Sequence, residues 1–187
     1  KKNLGKTLVG KDSVAKGATN FTSVVAKVKK AGANVVFYGG YYPEASKFVK
    51  ALRDNPATKN VKFIAGDGVL DNEYIKLAKK NAEGTSMTAP YIPMERADKK
   101  LTAIYKKEYG VAPAVYTLEA YNSAGFFLAA VKAGNTDRAT ILKYINTTSY
   151  KGVGQTIKFD ASGEPAVKVM NEFIVKNGSI EYVGAIK

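Results

Sequence analysis

Two short segments carry polar groups framed by glycine: Gly66-Asp67-Gly68 and Gly39-Gly40-Tyr41-Tyr42. A carboxylate between two glycines sits where backbone or ligand can approach closely, and it can accept hydrogens from a cation such as an ammonium. Aspartate in that setting also closes strands through an Asx turn. Residue pattern alone leaves both readings open for Asp67. The ring of Tyr41 can wall a pocket while its hydroxyl reaches a ligand; a pair of packing aromatics is the alternative. If the segment is extended, Tyr42 points to the opposite side from Tyr41. Composition removes whole classes of chemistry. The chain has no histidine and no cysteine. That excludes the Ser-His-Asp triad, imidazole and thiolate metal sites, disulfides and a cysteine nucleophile. Neither Gly-x-Gly-x-x-Gly nor Gly-x-x-x-x-Gly-Lys-Ser/Thr occurs, so no phosphate loop is expected. The chain reads as a non-enzyme, with no catalytic residue, metal site or cofactor.

The 187 residues carry 29 basic and 16 acidic side chains, a formal net charge of +13. Such an excess raises the question of a polyanion partner. Only Arg53, Arg96 and Arg138 are arginines, the residue suited to bidentate phosphate recognition. The lysines are scattered along helix-like segments, as at Lys27, Lys29, Lys30, Lys47 and Lys50. This pattern fits a solvated basic surface, and no nucleic-acid partner is expected. No apolar run approaches the ~18 residues of a membrane span. The opening Lys1-Lys2-Asn3 has no apolar signal core, so an exported protein would have had its targeting segment removed.

The elements that must hold these segments alternate over the first ninety residues. Thr7-Leu8-Val9 reads as a short strand. Phe21, Val24, Val25 and Val28 share one helix face, with Thr19 or Asn20 as cap and Gly32 as stop. Asn34 to Tyr38 is a buried strand ending at Gly39-Gly40. A second helix follows, with Ala45, Phe48, Val49 and Leu52 inward, and Asn55-Pro56 breaks it. Val61 to Ala65 is a strand closed by Gly66-Asp67-Gly68. Asp71 caps a third helix with Tyr74, Leu77 and Ala78 inward, and Thr85 to Ala89 is a fourth strand. Strands joined through helices run parallel with right-handed crossovers. The fold class is therefore α/β, an open doubly wound parallel sheet, in which ligands bind beyond the carboxyl ends of the strands. Both glycine-framed segments lie at such ends.

The pattern changes at Pro90-Tyr91-Ile92-Pro93. Helical spacing predicts helices over 94–109, 115–133 and 137–146. Strands follow at 155–159 and 167–175, and a hairpin turn at Lys176-Asn177-Gly178 leads to 179–183. The three helices carry apolar faces with no obvious sheet to cover. Tyr91, Tyr116 and Glu119 read as core or hinge residues.

The run Phe37-Tyr38-Gly39-Gly40-Tyr41-Tyr42-Pro43-Glu44 resembles the branched-chain amino-acid (Leu/Ile/Val) binding proteins of ABC transporters. Gly17-Ala18-Thr19-Asn20-Phe21 with Val25 to Lys30 resembles the family helix that leads into that strand. Gly66-Asp67-Gly68-Val69, Ala82-Glu83-Gly84 and Tyr116 to Ala124 also follow the family pattern. Members of this type I periplasmic binding fold have two α/β lobes that trap the amino acid between them, and are roughly twice this length. The resemblance implies the carboxyl-terminal part only. Residues 1–89 and 166–187 would form the second lobe, and 90–165 would return to an incomplete first lobe whose N-terminal half is absent.

The resemblance also implies roles. Asp67 matches the acidic ammonium ligand, often a glutamate in the family, so its reach is one methylene shorter. Tyr41 matches the tyrosine that contacts the amino acid, with Tyr42 a weaker candidate. The implied ligand is leucine, isoleucine or valine, and the implied partner is an ABC permease. Residues 88–93 would belong to the hinge. The implied location is extracytoplasmic, in the periplasm or on the cell surface as a lipoprotein. A ligand-sensing regulatory or receptor domain of the same fold is the other reading. The carboxylate-binding groups of the family have no match here, so half a site is expected.

Overall fold

A computed structural model of the chain describes residues 7–186. The chain forms two compact units. One is built by residues up to Ala89 together with those from Asn171, the other by Pro90–Met170.

The first unit holds helix α1 (Thr22–Lys30), strand β1 (Val35–Tyr38), helix α2 (Tyr42–Asp54), strand β2 (Lys62–Ala65), helix α3 (Asn72–Ala78) and strand β3 (Ser86–Ala89). The closing hairpin adds β6 (Asn171–Lys176) and β7 (Ser179–Ala185). The sheet order is β1-β2-β3-β6-β7. β1, β2 and β3 are parallel, as the alternation of strand and helix requires. β6 pairs antiparallel with β3, and β7 antiparallel with β6. The turn between them uses Asn177 and Gly178 at φ 52° and 72°, the left-handed pair that a type I′ hairpin needs.

One face of this sheet is packed. Ala45, Phe48, Val49 and Leu52 of α2 are all buried, at the i, i+3, i+4, i+7 spacing seen in the sequence. Phe48 packs edge-on against Phe63 and Tyr38, with ring centroids 5.7 and 6.0 Å away. Phe21, just ahead of α1, stacks on Phe48 at 5.2 Å. Phe63, Ala65, Met87 and Ala89 are fully buried beneath these helices. Asp71 caps α3 by accepting from the Glu73 N–H at 2.8 Å. Tyr74 is buried, and its hydroxyl shares a 2.8 Å hydrogen bond with that of Thr85.

Three details differ from the sequence reading. Thr7-Leu8-Val9 is not a strand of the sheet; Val9 is exposed, and β1 forms the sheet edge. Leu77 is 53% exposed, because Tyr74 and Ala78 alone face inward on α3. The last strands begin at Asn171 rather than 167: Val167, Val169 and Met170 are exposed and lie with the second unit.

The second unit holds α4 (Met94–Ala97), α5 (Lys99–Tyr109), α6 (Thr117–Lys132), α7 (Arg138–Thr147) and a small antiparallel pair, β4 (Tyr150–Lys151) with β5 (Thr156–Ile157). The expected single helix over 94–109 is broken. Asp98 is extended, at φ −155° and ψ 105°, and its side chain caps α5 by accepting from the Leu101 N–H. A capping carboxylate competes with helix continuation, and here it wins. Gly110 ends α5 at φ 69°. Along α6, Leu118, Asn122, Phe126 and Ala130 form one buried row at four-residue spacing. Phe126 stacks on Tyr150 with centroids 4.9 Å apart. The other apolar positions stay open: Ile104, Phe127, Leu128 and Leu142 are each about half exposed or more, and α7 buries no residue. Among the described residues the unit has no sheet beyond the β4–β5 pair and one isolated bridge, Phe159 with Pro165.

Candidate functional site

β1 and β2 are adjacent and parallel, in a register that sets Tyr38 beside Ala65. Their carboxyl ends therefore release two loops side by side, Gly39–Tyr41 and Gly66–Val69. The Gly66 N–H donates to the Tyr38 carbonyl at 3.4 Å and holds the second loop against the first. Asp67 then opens a single 3-10 turn, Asp67–Val69, closed by the Leu70 N–H on the Asp67 carbonyl at 2.9 Å.

Glycine is what lets the loops meet. A Cβ on Gly68 would lie 2.6 Å from the Gly40 carbonyl oxygen and 3.1 Å from Cδ1 of Tyr41. A Cβ on Gly40 would lie 2.5 Å from the Tyr38 hydroxyl. Both loops thus approach through positions that no larger residue can fill unchanged. The result is a shelf at the strand ends that carries Tyr41 beside Gly68 and Asp67 one residue away. Tyr41 is extended, at φ −108° and ψ 164°, and 68% exposed. Asp67 is also exposed. Tyr42 is half-buried, and as the first residue of α2 it departs from the extended run that carries Tyr41.

α2 starts at this shelf, so the positive end of its dipole lies beside Tyr41. Pro43 in its first turn has no N–H to leave unsatisfied. Glu44, the last residue of the glycine-tyrosine run, has a structural task instead. Its Oε1 accepts from the Gly17 N–H at 2.6 Å and ties the loop ahead of α1 to α2. That hydrogen bond, and then one from its own backbone N–H, hold the carboxyl below its ordinary range. The Tyr38 hydroxyl beneath the shelf is pushed up by burial and by the Glu44 charge.

The structure thus brings Tyr41 and Asp67 together on adjoining loops, with Tyr42 at the margin. Sequence reading names these residues but not the contact that joins them. Gly68 is visible only as a glycine; its partner, the Gly40 carbonyl, is a product of strand register. Two surface concavities lie away from this shelf, one between α1 and α2 beside Lys29 and Asp54, another along α4 and α5 beside Arg96 and Lys106.

In the second unit, Tyr91 is buried and meets Tyr116 edge-on at 6.0 Å. Tyr116 holds φ 66°, a left-handed conformation that costs a bulky residue roughly 1–3 kcal/mol. The Ile92 N–H donates to Glu119 Oε1 at 3.5 Å, and Glu119 Oε2 is buried without a hydrogen-bond partner among the described residues. Burial raises the Glu119 carboxyl above its ordinary range. No sequence signal announces the Tyr116 backbone.

No helix among the described residues is long and apolar enough to cross a membrane. A family model described as periplasmic binding protein matches residues 1–179. Leu/Ile/Val-binding protein homolog 2 of Brucella abortus is 32% identical over 158 residues, which cover 83% of this chain and 42% of that protein. Homolog 1 of Brucella suis is 31% identical over 156 residues, with 82% and 42% covered. A leucine binding protein from Thermotoga maritima superposes with a TM-score of 0.84 at 25% identity, over 99% of this chain and 54% of its own. A branched-chain amino acid transporter substrate binding protein from Streptococcus pneumoniae, in complex with isoleucine, shares the fold with a TM-score of 0.78 at 22% identity, over 92% and 50%. The chain thus spans about 42% of the length of the curated relatives it matches. These neighbours are binding proteins rather than enzymes, and by the match over nearly all its length this chain belongs to the periplasmic binding protein family.

Proposed function

We propose that this chain is part of the extracytoplasmic solute-binding component of an ABC transporter, one that captures a branched-chain or related amino acid and delivers it to a membrane permease without chemistry. The observation that carries this reading is the shelf at the ends of β1 and β2. It presents one exposed carboxylate, Asp67, and one exposed ring, Tyr41, on loops that meet through Gly68 and Gly40. Relatives named Leu/Ile/Val-binding supply the ligand class.

In this reading Asp67 pairs with the ammonium of the amino acid, Tyr41 walls the ligand, and Tyr42 flanks it. The ammonium and carboxylate of a captured amino acid both leave water, so each needs a partner. Asp67 serves the first; the partner of the second lies outside this chain, in the first lobe. The first unit is then the second lobe of the family, and the 90–170 unit belongs with the first. Residues 88–93 act as a hinge, and ligand that prefers the closed form drives closure.

The test is leucine binding to the complete polypeptide by calorimetry, with Asp67→Ala and Tyr41→Ala. Removing one partner of a desolvated charge pair costs about 2–5 kcal/mol. Asp67→Ala should therefore weaken binding at least ~30-fold. The isolated 187-residue chain should bind leucine only at millimolar concentration, with amide shifts confined to 39–42 and 66–70. An Asp67→Ala variant with undiminished affinity refutes the assigned role.

A further inference from the structure

The sequence contains a single Asn-Gly pair, Asn177-Gly178. The pair makes the turn between β6 and β7, and because Lys176 is level with Ser179 it is the whole loop. Both residues are exposed to water. An Asn-Gly pair also carries a reaction of its own. The side-chain amide carbon of asparagine, Cγ, is an electrophile, and the next backbone nitrogen can close a five-membered ring on it. Glycine adds no side chain to hinder that approach. The Gly178 nitrogen gives up its proton and its lone pair forms the N–Cγ bond. The Cγ–Nδ2 bond breaks, and the amide nitrogen leaves as ammonia with that proton. Water then opens the cyclic imide at either carbonyl, giving aspartate or isoaspartate. Water is the sole co-reactant, and nothing is oxidised or reduced.

In this fold the proton that must leave is held. The Gly178 N–H donates to Glu83 Oε2 at 3.3 Å, and the Asn177 N–H donates to Glu83 Oε1 at 2.9 Å. One carboxylate thus spans both backbone amides of the loop. The main chain aims it there. Glu83 directly follows a 3-10 turn, Lys79–Ala82. The Gly84 N–H then donates to the Val175 carbonyl, and the Val175 N–H to the Thr85 carbonyl, each at 2.9 Å. These bonds lay residues 84–85 along the end of β6 and bring Glu83 to the turn. An Asn-Gly pair closes a type I′ turn unaided, so the clamp is more than the turn needs. Its chemical effect is direct. Ring closure requires the Gly178 nitrogen to become anionic. A carboxylate within hydrogen-bond distance disfavours that anion by charge repulsion, and its hydrogen bond must first be broken. A carboxylate is far too weak a base to remove an amide proton, so it retains the proton.

We propose that Asn177-Gly178 is a site of spontaneous deamidation and that Glu83 guards it by holding the Gly178 N–H. Loss of the guard has a structural consequence. Deamidation adds a second negative charge at the turn that Glu83 clamps, and isoaspartate adds a methylene to the main chain of a two-residue loop. Loop length sets the register of β6 against β7, and β7 is an edge of the sheet. The modification therefore unlatches the closing hairpin at its tip. This contact lies at the amino end of β3, the opposite end of the sheet from the Tyr41–Asp67 shelf, and it does not depend on which solute is bound.

The test follows deamidation of the complete polypeptide during long incubation at neutral pH and body temperature. Mass spectrometry of the peptide carrying Asn177 reads the amide-to-acid conversion and separates aspartate from isoaspartate. A linear peptide of residues 172–183 gives the unguarded rate, and thermal unfolding checks that each variant is folded. The folded protein should deamidate at least ~10-fold more slowly than the peptide. Glu83→Ala should recover ~10-fold or more of that protection, the effect of one charged hydrogen bond on a barrier. Glu83→Gln, which keeps the shape without the charge, should fall between. Should Glu83→Ala fail to fold, the Glu83→Gln rate decides. A variant rate equal to that of the unchanged protein overturns the guard, because the turn alone would then set the rate. A slower rate in the variants also overturns it, since Glu83 would then be assisting the reaction.

Discussion

Replacing Gly68 with alanine tests the joint between the two candidate loops. The added Cβ would sit 2.6 Å from the Gly40 carbonyl oxygen. An ordinary carbon–oxygen contact lies near 3.3 Å, so one backbone must retreat by about 0.7 Å. The obstacle is main chain, and on the other side the Cδ1 of Tyr41 at 3.1 Å gives little room. Gly40 cannot yield freely either, since its own Cα faces the Tyr38 hydroxyl. Overpacking of this kind costs roughly 1–3 kcal/mol. Gly66→Ala is the matched control. It stands two residues away at φ −82°, with nothing within 4 Å of the added methyl. It should be neutral or gain up to about 1 kcal/mol by restricting the unfolded chain. Thermal unfolding followed by circular dichroism should place Gly68→Ala lower by about 4–8 °C for each kcal/mol. If the shelf binds an amino acid as proposed, leucine affinity of the complete polypeptide should fall with Gly68→Ala and hold with Gly66→Ala. If the two variants unfold within ~0.5 kcal/mol of each other, the loops are not joined as described.

Three further outcomes follow from buried polar groups. Asn122 is buried, and it exchanges hydrogen bonds with the Val153 backbone, accepting from its N–H at 2.8 Å and donating to its carbonyl at 3.0 Å. Asn122→Ala should destabilise the second unit by about 2–3 kcal/mol in denaturant titration, since two backbone groups lose their partner; a cost under ~0.5 kcal/mol would contradict the pairing. Burial raises the Glu119 carboxyl, so the folded form favours the protonated acid, and that contribution is lost as pH rises through the raised pKa. Glu119→Gln should therefore stabilise the second unit at pH 7 by about 1 kcal/mol and flatten its stability between pH 4 and 7; a loss at pH 7 would show an unseen partner for the carboxylate. Burial pushes the hydroxyls of Tyr74 and Tyr91 up to about 12. Below pH 10 both states keep the proton. Between pH 10 and 12 only the unfolded state releases it, so stability should fall there, and absorbance at 295 nm should show these two ionising late or only on unfolding.

The parallel strands, their helices and the two glycine-framed loops were legible because each depends on local pattern. Ala45, Phe48, Val49 and Leu52 face inward as their spacing says, and Asp71 caps its helix. Asp98 shows the limit: its cap inside an apolar-spaced run splits one helix in two. Periodicity does not weigh a capping carboxylate against continued helix. Asp67 and Tyr41 could be named, but their joint could not, because it rests on the register of β1 against β2.

The remaining differences share one cause. Periodicity says which residues want cover; it does not say whether cover is present. Thr7-Leu8-Val9 has strand composition, yet it joins no strand of the sheet. Phe37 and Val35 alternate as a buried strand should, yet stand 67% and 46% exposed. Ile104, Leu128 and Leu142 mark helix faces that the sequence correctly reads as apolar, and all three are more than half exposed. A soluble chain exposes single apolar residues without meaning. Here they fall into sets, one along β1 and others along α5, α6 and α7. Each set lies where its own unit has no further layer, while α2, packed over the strands, buries its apolar face completely. The same physical rule therefore explains both outcomes: α2 buries what it should because β1 and β2 are present to receive it. If the sets are interfaces, substituting lysine at Leu128 should be harmless in this chain and costly in the complete polypeptide. If Leu128→Lys is harmless in both, α6 faces water in the whole protein, and its apolar excess needs another explanation.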